Sequence, residues 1–169
     1  VELSRDIVRR FNNIYKTDFF VEPEPLLTQI PLMKGVDGNK MGKSFNNDIK
    51  ISDDEETTEK KIMSAITDRS RLRRDDPGHP EDCEVVYDYW KIFADKAKVE
   101  EIDGLCRMGQ IGCAQCKKEL AKRVNEMLAP IREKRRELSE NPKIVREILL
   151  EGSNKAQKEA QIILDKVKE

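Results

Sequence analysis

The chain has 169 residues, of which 38% are charged and 37% hydrophobic, and its net charge is only −1. This length suffices for one good core or two small modules, and the composition is typical of a helical protein with a well-solvated surface. No apolar run approaches the length of a membrane span and no signal-peptide pattern opens the chain, so we expect a cytoplasmic protein with no membrane partner.

The first predicted element is an amphipathic helix over residues 1–16. Its apolar positions Leu3, Ile7 and Phe11 recur with a period near 3.6. The chain lacks an initiating methionine, and no earlier element is present to receive this apolar face. We therefore expect a fragment that lacks the first half of a domain and is incomplete for catalysis on its own.

A connection interrupted by Pro23, Pro25 and Pro31 is predicted over residues 17–35, with room for a short strand around 19–21. A glycine-rich turn at 35–39 follows. It leads into the basic pentapeptide Lys40-Met41-Gly42-Lys43-Ser44 and then into a short β-like run at 49–51.

The pentapeptide at 40–44 is the first candidate functional site, because two lysines beside glycine and serine suit a polyphosphate whose charge moves during reaction. A solvated lysine-rich loop is the simpler interpretation of these five residues alone. A nucleotide triphosphatase P-loop is excluded, since it needs a glycine where Asp37 stands. It should also follow a buried strand and open a long helix, and neither is predicted here.

Helices dominate the predicted structure after residue 53. Ser52 or Asp53 is a suitable N-cap for the first of them, which is expected to stop near Thr67. The others are predicted from about Cys83, from Lys98 to Asp103, from Cys113 to Leu138 with a kink at Pro130, and from Asn141 to the end with an interruption at Gly152.

Four cysteines form the second candidate site, with the spacing C-x22-C-x6-C-x2-C: Cys83, Cys106, Cys113 and Cys116. The last two are separated by two residues, which lets both thiolates face one ion or cluster at the start of a helix. Glycines at 104, 109 and 112 are expected to free Cys106 from helical constraint. From the residues alone, structural zinc, an iron–sulfur cluster and inert or redox-active thiols all stay open.

Two groups of basic residues lie where a nucleic acid would need them, although a solvated charged helix explains the second group equally well. The first group comprises Arg69, Arg71, Arg73 and Arg74. The second comprises Lys117, Lys118, Lys122, Arg123, Arg132, Lys134, Arg135 and Arg136. His79 is interpreted as a turn residue and Trp90 as a core residue.

The segment Asp37-Gly38-Asn39-Lys40-Met41-Gly42-Lys43-Ser44 resembles the KMSKS loop of class I aminoacyl-tRNA synthetases. Matches at Val1–Arg5, Asn47, Ile49, Ile51, Asp53, Ile62–Met63, Thr67–Asp68 and Asp76–Gly78 make the chain similar to the tryptophanyl-tRNA synthetase family along nearly its whole length. Tyrosyl-tRNA synthetases fit the cysteines and the 67–78 stretch less well. The departure is Gly42, where the family usually has serine.

The resemblance implies that Lys40 and Lys43 contact the phosphates of ATP and the departing pyrophosphate, and are the catalytic residues. Met41 would lie near adenine, with Gly42 and Ser44 completing the ATP-binding loop. It also implies ATP with Mg and tryptophan as substrates, tRNA-Trp as partner and a homodimer in the complete enzyme. The HIGH signature and most of the tryptophan pocket would lie upstream of Val1.

The fold implied is mainly α: the end of a Rossmann-type α/β domain over residues 1–52, followed by an all-helical anticodon-binding domain over 53–169. A subset of bacterial members carries cysteines with this spacing and binds a 4Fe–4S cluster, which the resemblance favours here over zinc. The competing function is a stand-alone, metal-stabilised RNA-binding module without catalysis.

Overall fold

The structure is a computed structural model that describes residues 1–28 and 32–168, and it is mainly α-helical, as predicted. These ranges contain six α-helices: α1 (Glu2–Tyr15), α2 (Glu55–Ser64), α3 (Glu84–Phe93), α4 (Lys96–Arg107), α5 (Cys113–Glu140) and α6 (Pro142–Lys168). Within the described ranges there is no β-strand, only an isolated antiparallel bridge between Lys34 and Lys40. None of the described helices is long and apolar enough to cross a membrane.

The chain divides into two compact units, residues 1–33 and 34–169. In the first unit, α1 confirms the helix predicted over 1–16. The strand predicted at 19–21 is wrong, because the side chain of Asn12 takes both backbone groups of Phe20, at 2.8 and 3.2 Å. The described part of the predicted connection is otherwise irregular, and residues 29–31 lie outside the described ranges.

The second unit contains the hydrophobic core, in which α2 and α3 both pack against α5. Ile62, Trp90 and Leu120 are fully buried there, which confirms Trp90 as a core residue. Burial of side chains of this size contributes about 1.5–3 kcal/mol each. The loop at 40–44 belongs to the same compact unit as these helices, and the functional boundary predicted between residues 52 and 53 stays a prediction.

Several predicted boundaries change for local reasons. The side chain of Asp54, not Ser52 or Asp53, caps α2 by accepting a hydrogen bond from the Thr57 amide at 2.7 Å, and α2 ends at Ser64, before Thr67. The run at 49–51 is irregular rather than a strand and leads into a turn at Ile51, because Asp53 accepts the Lys50 amide hydrogen bond at 2.9 Å.

Of the two C-terminal helices, α5 ends two residues later than predicted and α6 lacks the predicted interruption. Residues of α5 continue through Pro130 to Glu140, and the kink there stays a prediction. Gly152 does not interrupt α6, since one exposed glycine costs a helix only about 1 kcal/mol relative to alanine.

Candidate phosphate loop and four-cysteine site

The buried side chain of Asn47 anchors the backbone of the basic loop at 40–44. Its amide oxygen accepts a hydrogen bond from Gly42 N at 2.9 Å, and its amide nitrogen donates to Lys40 O at 3.2 Å and to Asp37 Oδ1 at 2.8 Å. Asn47 is only 3% exposed. One buried side chain therefore fixes the backbone at both ends of the Lys40–Gly42 segment.

Two glycines make this arrangement possible. At Gly35 a Cβ atom would lie 2.4 Å from Asn47 Cγ, so only glycine leaves room for the buried amide. Gly38 has φ +84°, a left-handed conformation that side chains rarely adopt. The hydrogen bonds that Asp37 accepts from Asn39 and Asn47 lower the pKa of its carboxyl group.

The lysines of the loop are available to a ligand. Lys40 and Lys43 are both exposed, and neither forms an ion pair with any other residue of the described ranges. Lys43–Phe45 forms a single turn of 3-10 helix after Gly42, and no α-helix begins there. The exclusion of a P-loop therefore agrees with the local structure as well as with the spacing.

The four cysteines come from three different helix ends. Cys83 directly precedes α3, Cys106 lies in the last turn of α4, and Cys113 and Cys116 lie in the first turn of α5. The prediction that glycines free Cys106 from a helix is wrong. The side chain of Asp95 caps α4 by accepting the Lys98 amide hydrogen bond at 2.8 Å, and the helix runs through Gly104 to Arg107.

The thiols share one partly buried environment. Cys83, Cys106 and Cys116 line the same small cavity, and Cys113 interacts electrostatically with the other three. Burial raises the pKa of Cys83 and of Cys106, and it raises the pKa of Cys116 to about 12.

The separation of the sulfur atoms bears on the group that they would hold. All four cysteines lie in the described ranges, and no three of their Sγ atoms lie within 4.8 Å of one another. Four thiolates on one zinc ion at 2.3 Å would be about 3.8 Å apart. A 4Fe–4S cluster is instead held by four cysteines distributed over its irons.

Three residues outside the predicted site contact the sulfur atoms. Trp90 Nε1 donates to Cys116 Sγ at 3.2 Å, and Arg71 Nη1 lies 3.9 Å from both Cys106 Sγ and Cys113 Sγ. At Gly78 a Cβ atom would lie 2.5 Å from Cys106 Sγ. In the sequence, Trp90 follows Cys83 by seven residues, or two helical turns. This spacing places Trp90 on the same side of α3 as Cys83, and it could have indicated that Trp90 lies near the cysteines.

His79, predicted as a turn residue, has an extended backbone with φ −118° and ψ 94°. It precedes a short 3-10 helix at Pro80–Asp82, and its Nδ1 and backbone nitrogen both lie 3.0 Å from Asp68 Oδ2. Burial raises the pKa of Asp68, but hydrogen bonds from Ser70 and His79 outweigh it and lower the pKa well below its usual value. Asp82 lies close enough to complete a cation site with this pair, yet four hydrogen bonds already satisfy the Asp68 carboxylate.

The basic residues of α5 are more dispersed than their sequence suggests. Arg132 is used internally, donating to Asp53 O, Asn125 Oδ1 and Thr58 Oγ1 at 2.8–2.9 Å, and Lys117 Nζ donates to Met63 O at 3.1 Å. Ion pairs with neighbouring glutamates occupy three more: Lys122, Lys134 and Arg136. Arg123 lies over the Trp90 ring at 6.0 Å.

A basic cavity nevertheless exists beside the cysteines. Arg71, Arg73, Arg74 and Lys118 line a volume of about 610 Å³ at the N-terminal end of α5, and no carboxylate among the described residues lines it. A helix N-terminus with several cations is a favourable setting for a phosphate. The tertiary structure thus joins the arginines that precede the cysteines with one lysine of α5.

Comparison with known proteins identifies the family. The model of the family described as tRNA synthetases class I (W and Y) matches residues 1–129. The chain therefore belongs to the class I tRNA synthetases of the tryptophan and tyrosine family.

Several similar proteins of that family are tryptophan enzymes. The chain is 44% identical over 99% of its length to the tryptophan–tRNA ligase of Aquifex aeolicus, and 38% identical over 99% to that of Thermotoga maritima. A structure of tryptophanyl-tRNA synthetase from Campylobacter jejuni, complexed with ADP and tryptophan, aligns over 98% of the chain with a TM-score of 0.78 and 35% identity. The chain spans 42% of the Aquifex protein and 51% of each of the other two.

Proposed function

We propose that this chain forms the C-terminal portion of a tryptophan–tRNA ligase, which activates tryptophan with ATP and Mg and transfers it to tRNA-Trp. The observation that carries the proposal is the loop at 40–44 in a chain of this family: Asn47 holds its backbone, and both lysines are exposed and form no ion pair with another residue of the described ranges. The similarity to proteins named tryptophan–tRNA ligases extends over 99% of the chain, and it supports tryptophan rather than tyrosine as the substrate.

In this proposal Lys40 and Lys43 stabilise charge that develops on the departing pyrophosphate. Attack of the tryptophan carboxylate on the α-phosphate of ATP moves negative charge onto that leaving group, so ammonium groups close to it lower the barrier more than they strengthen ground-state binding. The backbone of Met41 and Gly42, fixed by Asn47, and the hydroxyl of Ser44 complete the ATP-binding loop. The family homodimer also stays a prediction for the complete enzyme.

The test is Lys43→Ala in the full-length protein, with Lys50→Ala as the matched control, because Lys50 is an exposed lysine outside the loop. We expect the single-turnover rate of adenylate formation, measured by rapid quenching with enzyme in excess of labelled ATP, to fall about 10²–10³-fold in Lys43→Ala. Tryptophan binding, measured by calorimetry, should change little. Adenylate formation at the control's rate in Lys43→Ala would refute the role of the loop.

The four cysteines are proposed to hold a 4Fe–4S cluster, with zinc as the alternative. Cys83, Cys106, Cys113 and Cys116 fit such a group because they converge from three helix ends, three of them line one small cavity, and space remains where Gly78 lacks a Cβ atom. When bound, the group would cross-link the ends of α3, α4 and α5 and would serve structure rather than redox catalysis. Metal and sulfide analysis of anaerobically purified protein distinguishes the two, and a colourless protein with one zinc would overturn the cluster.

The basic cavity beside the cysteines is proposed as part of the tRNA surface. Its cations Arg73, Arg74 and Lys118 would neutralise phosphates of the RNA and so give salt-dependent binding. The same cavity favours the second candidate function, a metal-stabilised RNA-binding module without catalysis. RNA binding by the full-length protein without any pyrophosphate exchange would select that module.

A further inference from the structure

Arg71 occupies an unusual position among the charged residues of the chain. Its Nη1 atom lies 3.9 Å from both Cys106 Sγ and Cys113 Sγ, and its Nη2 atom donates to the backbone oxygen of Arg74. The guanidinium is therefore held by the main chain on one side and faces two sulfur atoms on the other.

The charge of Arg71 has no carboxylate partner in the described ranges. Its Nε atom is buried and forms no hydrogen bond. The side chain as a whole is partly buried, and a cation in such a position is normally stabilised by an anionic partner. Neutral thiols offer a guanidinium little, whereas thiolates bound to a metal carry negative charge.

Trp90 supplies a second donor to the same group of sulfur atoms. Its side chain is fully buried, and its indole nitrogen finds Cys116 Sγ at 3.2 Å as its partner. A buried indole N–H normally forms a hydrogen bond, so this position is satisfied by sulfur alone. Cys116 thus receives a neutral donor, while Cys106 and Cys113 share a charged one.

We propose that Arg71 is the counter-ion of the metal-bound thiolates of Cys106 and Cys113, acting as a positioning residue that sets both the retention of the bound group and its reduction potential. This inference rests on the metal assignment proposed above. Hydrogen bonds to sulfur and fixed charges near it are the means by which proteins tune thiolate-bound metals, and loss of such a partner typically weakens metal binding about 10–100-fold. Trp90 acts in the same way on Cys116, without the charge.

The test uses full-length protein purified anaerobically and three variants. Arg71→Gln removes the charge and Arg71→Lys keeps it without the planar fork of donors. Arg69→Gln is the matched control, since Arg69 is exposed, lies two residues away and contacts no cysteine in the described ranges. The measurements are iron and zinc content, the midpoint potential from a redox titration followed by absorbance, and the rate of metal release to a chelator.

We expect Arg71→Gln to release metal about 10-fold faster or more than wild type. Its cluster should also have a more negative midpoint potential, because reduction adds negative charge that no cation then offsets. Arg71→Lys should keep a potential close to that of wild type while releasing metal faster, and Arg69→Gln should match wild type in both.

Wild-type release rates in both Arg71 variants would overturn the inference, for zinc as much as for a cluster, and leave the metal assignment intact. A wild-type protein that contains neither iron nor zinc would instead refute the metal assignment, and this inference with it. If Arg71→Gln does not fold, the release rate of Arg71→Lys against Arg69→Gln decides between the outcomes.

Discussion

Asn47 and Gly42 are joined by a hydrogen bond of 2.9 Å from the backbone nitrogen of Gly42 to the side-chain oxygen of Asn47. This bond links a buried side chain to the centre of the basic loop. The loop therefore has a fixed base and exposed cationic ends, which is the arrangement required if lysines are to follow a moving phosphate charge without unfolding their surroundings.

Replacing Asn47 by alanine should loosen this base. The variant removes the side-chain hydrogen bonds to Lys40 O and Gly42 N and one of those to Asp37 Oδ1. We therefore expect a loss of about 1–3 kcal/mol in the free energy of unfolding, measured by urea denaturation. Hydrogen exchange at the Gly42 amide should become faster. Ser44→Ala, at an exposed position of the same loop, should leave stability within about 0.5 kcal/mol of wild type.

Arg132 should behave as a structural residue rather than an RNA contact. Its guanidinium joins α5 to Asp53 O and Thr58 Oγ1 near the start of α2. Arg132→Ala should therefore lower the free energy of unfolding by about 1.5–3 kcal/mol, since these are hydrogen bonds from a charged donor. Arg135→Ala serves as the comparison, because Arg135 is exposed on the same helix; equal stability of the two variants would contradict this role.

Asp53 should make the free energy of unfolding depend on pH in the acid range. Burial raises the pKa of Asp53, but hydrogen bonds from Lys61 Nζ at 2.7 Å and from the Lys50 amide outweigh it and lower the pKa. A carboxylate whose pKa is lower in the folded state stabilises the fold above its unfolded pKa of about 3.9, and this contribution is lost as pH falls through the folded value.

The Asp53→Asn variant should accordingly lose less stability than wild type when urea denaturation is repeated between about pH 5 and pH 3. Asp75→Asn provides the control, since Asp75 is exposed. If the free energy of unfolding falls with pH as steeply in Asp53→Asn as in wild type, the Asp53 carboxylate does not contribute to the pH dependence.

Two glycines should respond in opposite directions to alanine. In Gly78→Ala the new methyl group would lie 2.5 Å from Cys106 Sγ and 3.3 Å from Arg71 Nη1, so we expect faster metal release and a lower melting temperature.

At Gly152 a new Cβ atom would meet no described atom within 4 Å. The free energy of unfolding of Gly152→Ala should therefore rise by up to about 1 kcal/mol, because alanine has the higher helix propensity. Circular dichroism melts of both variants check the sign of each change.

The sequence predicted the type of most elements because hydrophobic periodicity is local. The helix over 1–16, the burial of Trp90 and the long helix from Cys113 all follow from spacing along the chain. The strands expected at 19–21 and 49–51 failed for a different reason. Side chains distant in sequence or in the turn itself, Asn12 and Asp53, take the backbone hydrogen bonds that a ladder would need.

For the candidate sites too, some features follow from the local sequence and others only from the tertiary structure. By itself the sequence determined the residue types of the loop at 40–44, the spacing of the four cysteines and, through whole-length similarity, the family. Only the tertiary structure decided which residues serve those sites. Asn47 beneath the loop, Arg71 and Trp90 beside the sulfur atoms, and the internal use of Arg132 all depend on contacts between separate elements. Such contacts follow from packing in three dimensions, which local periodicity does not encode.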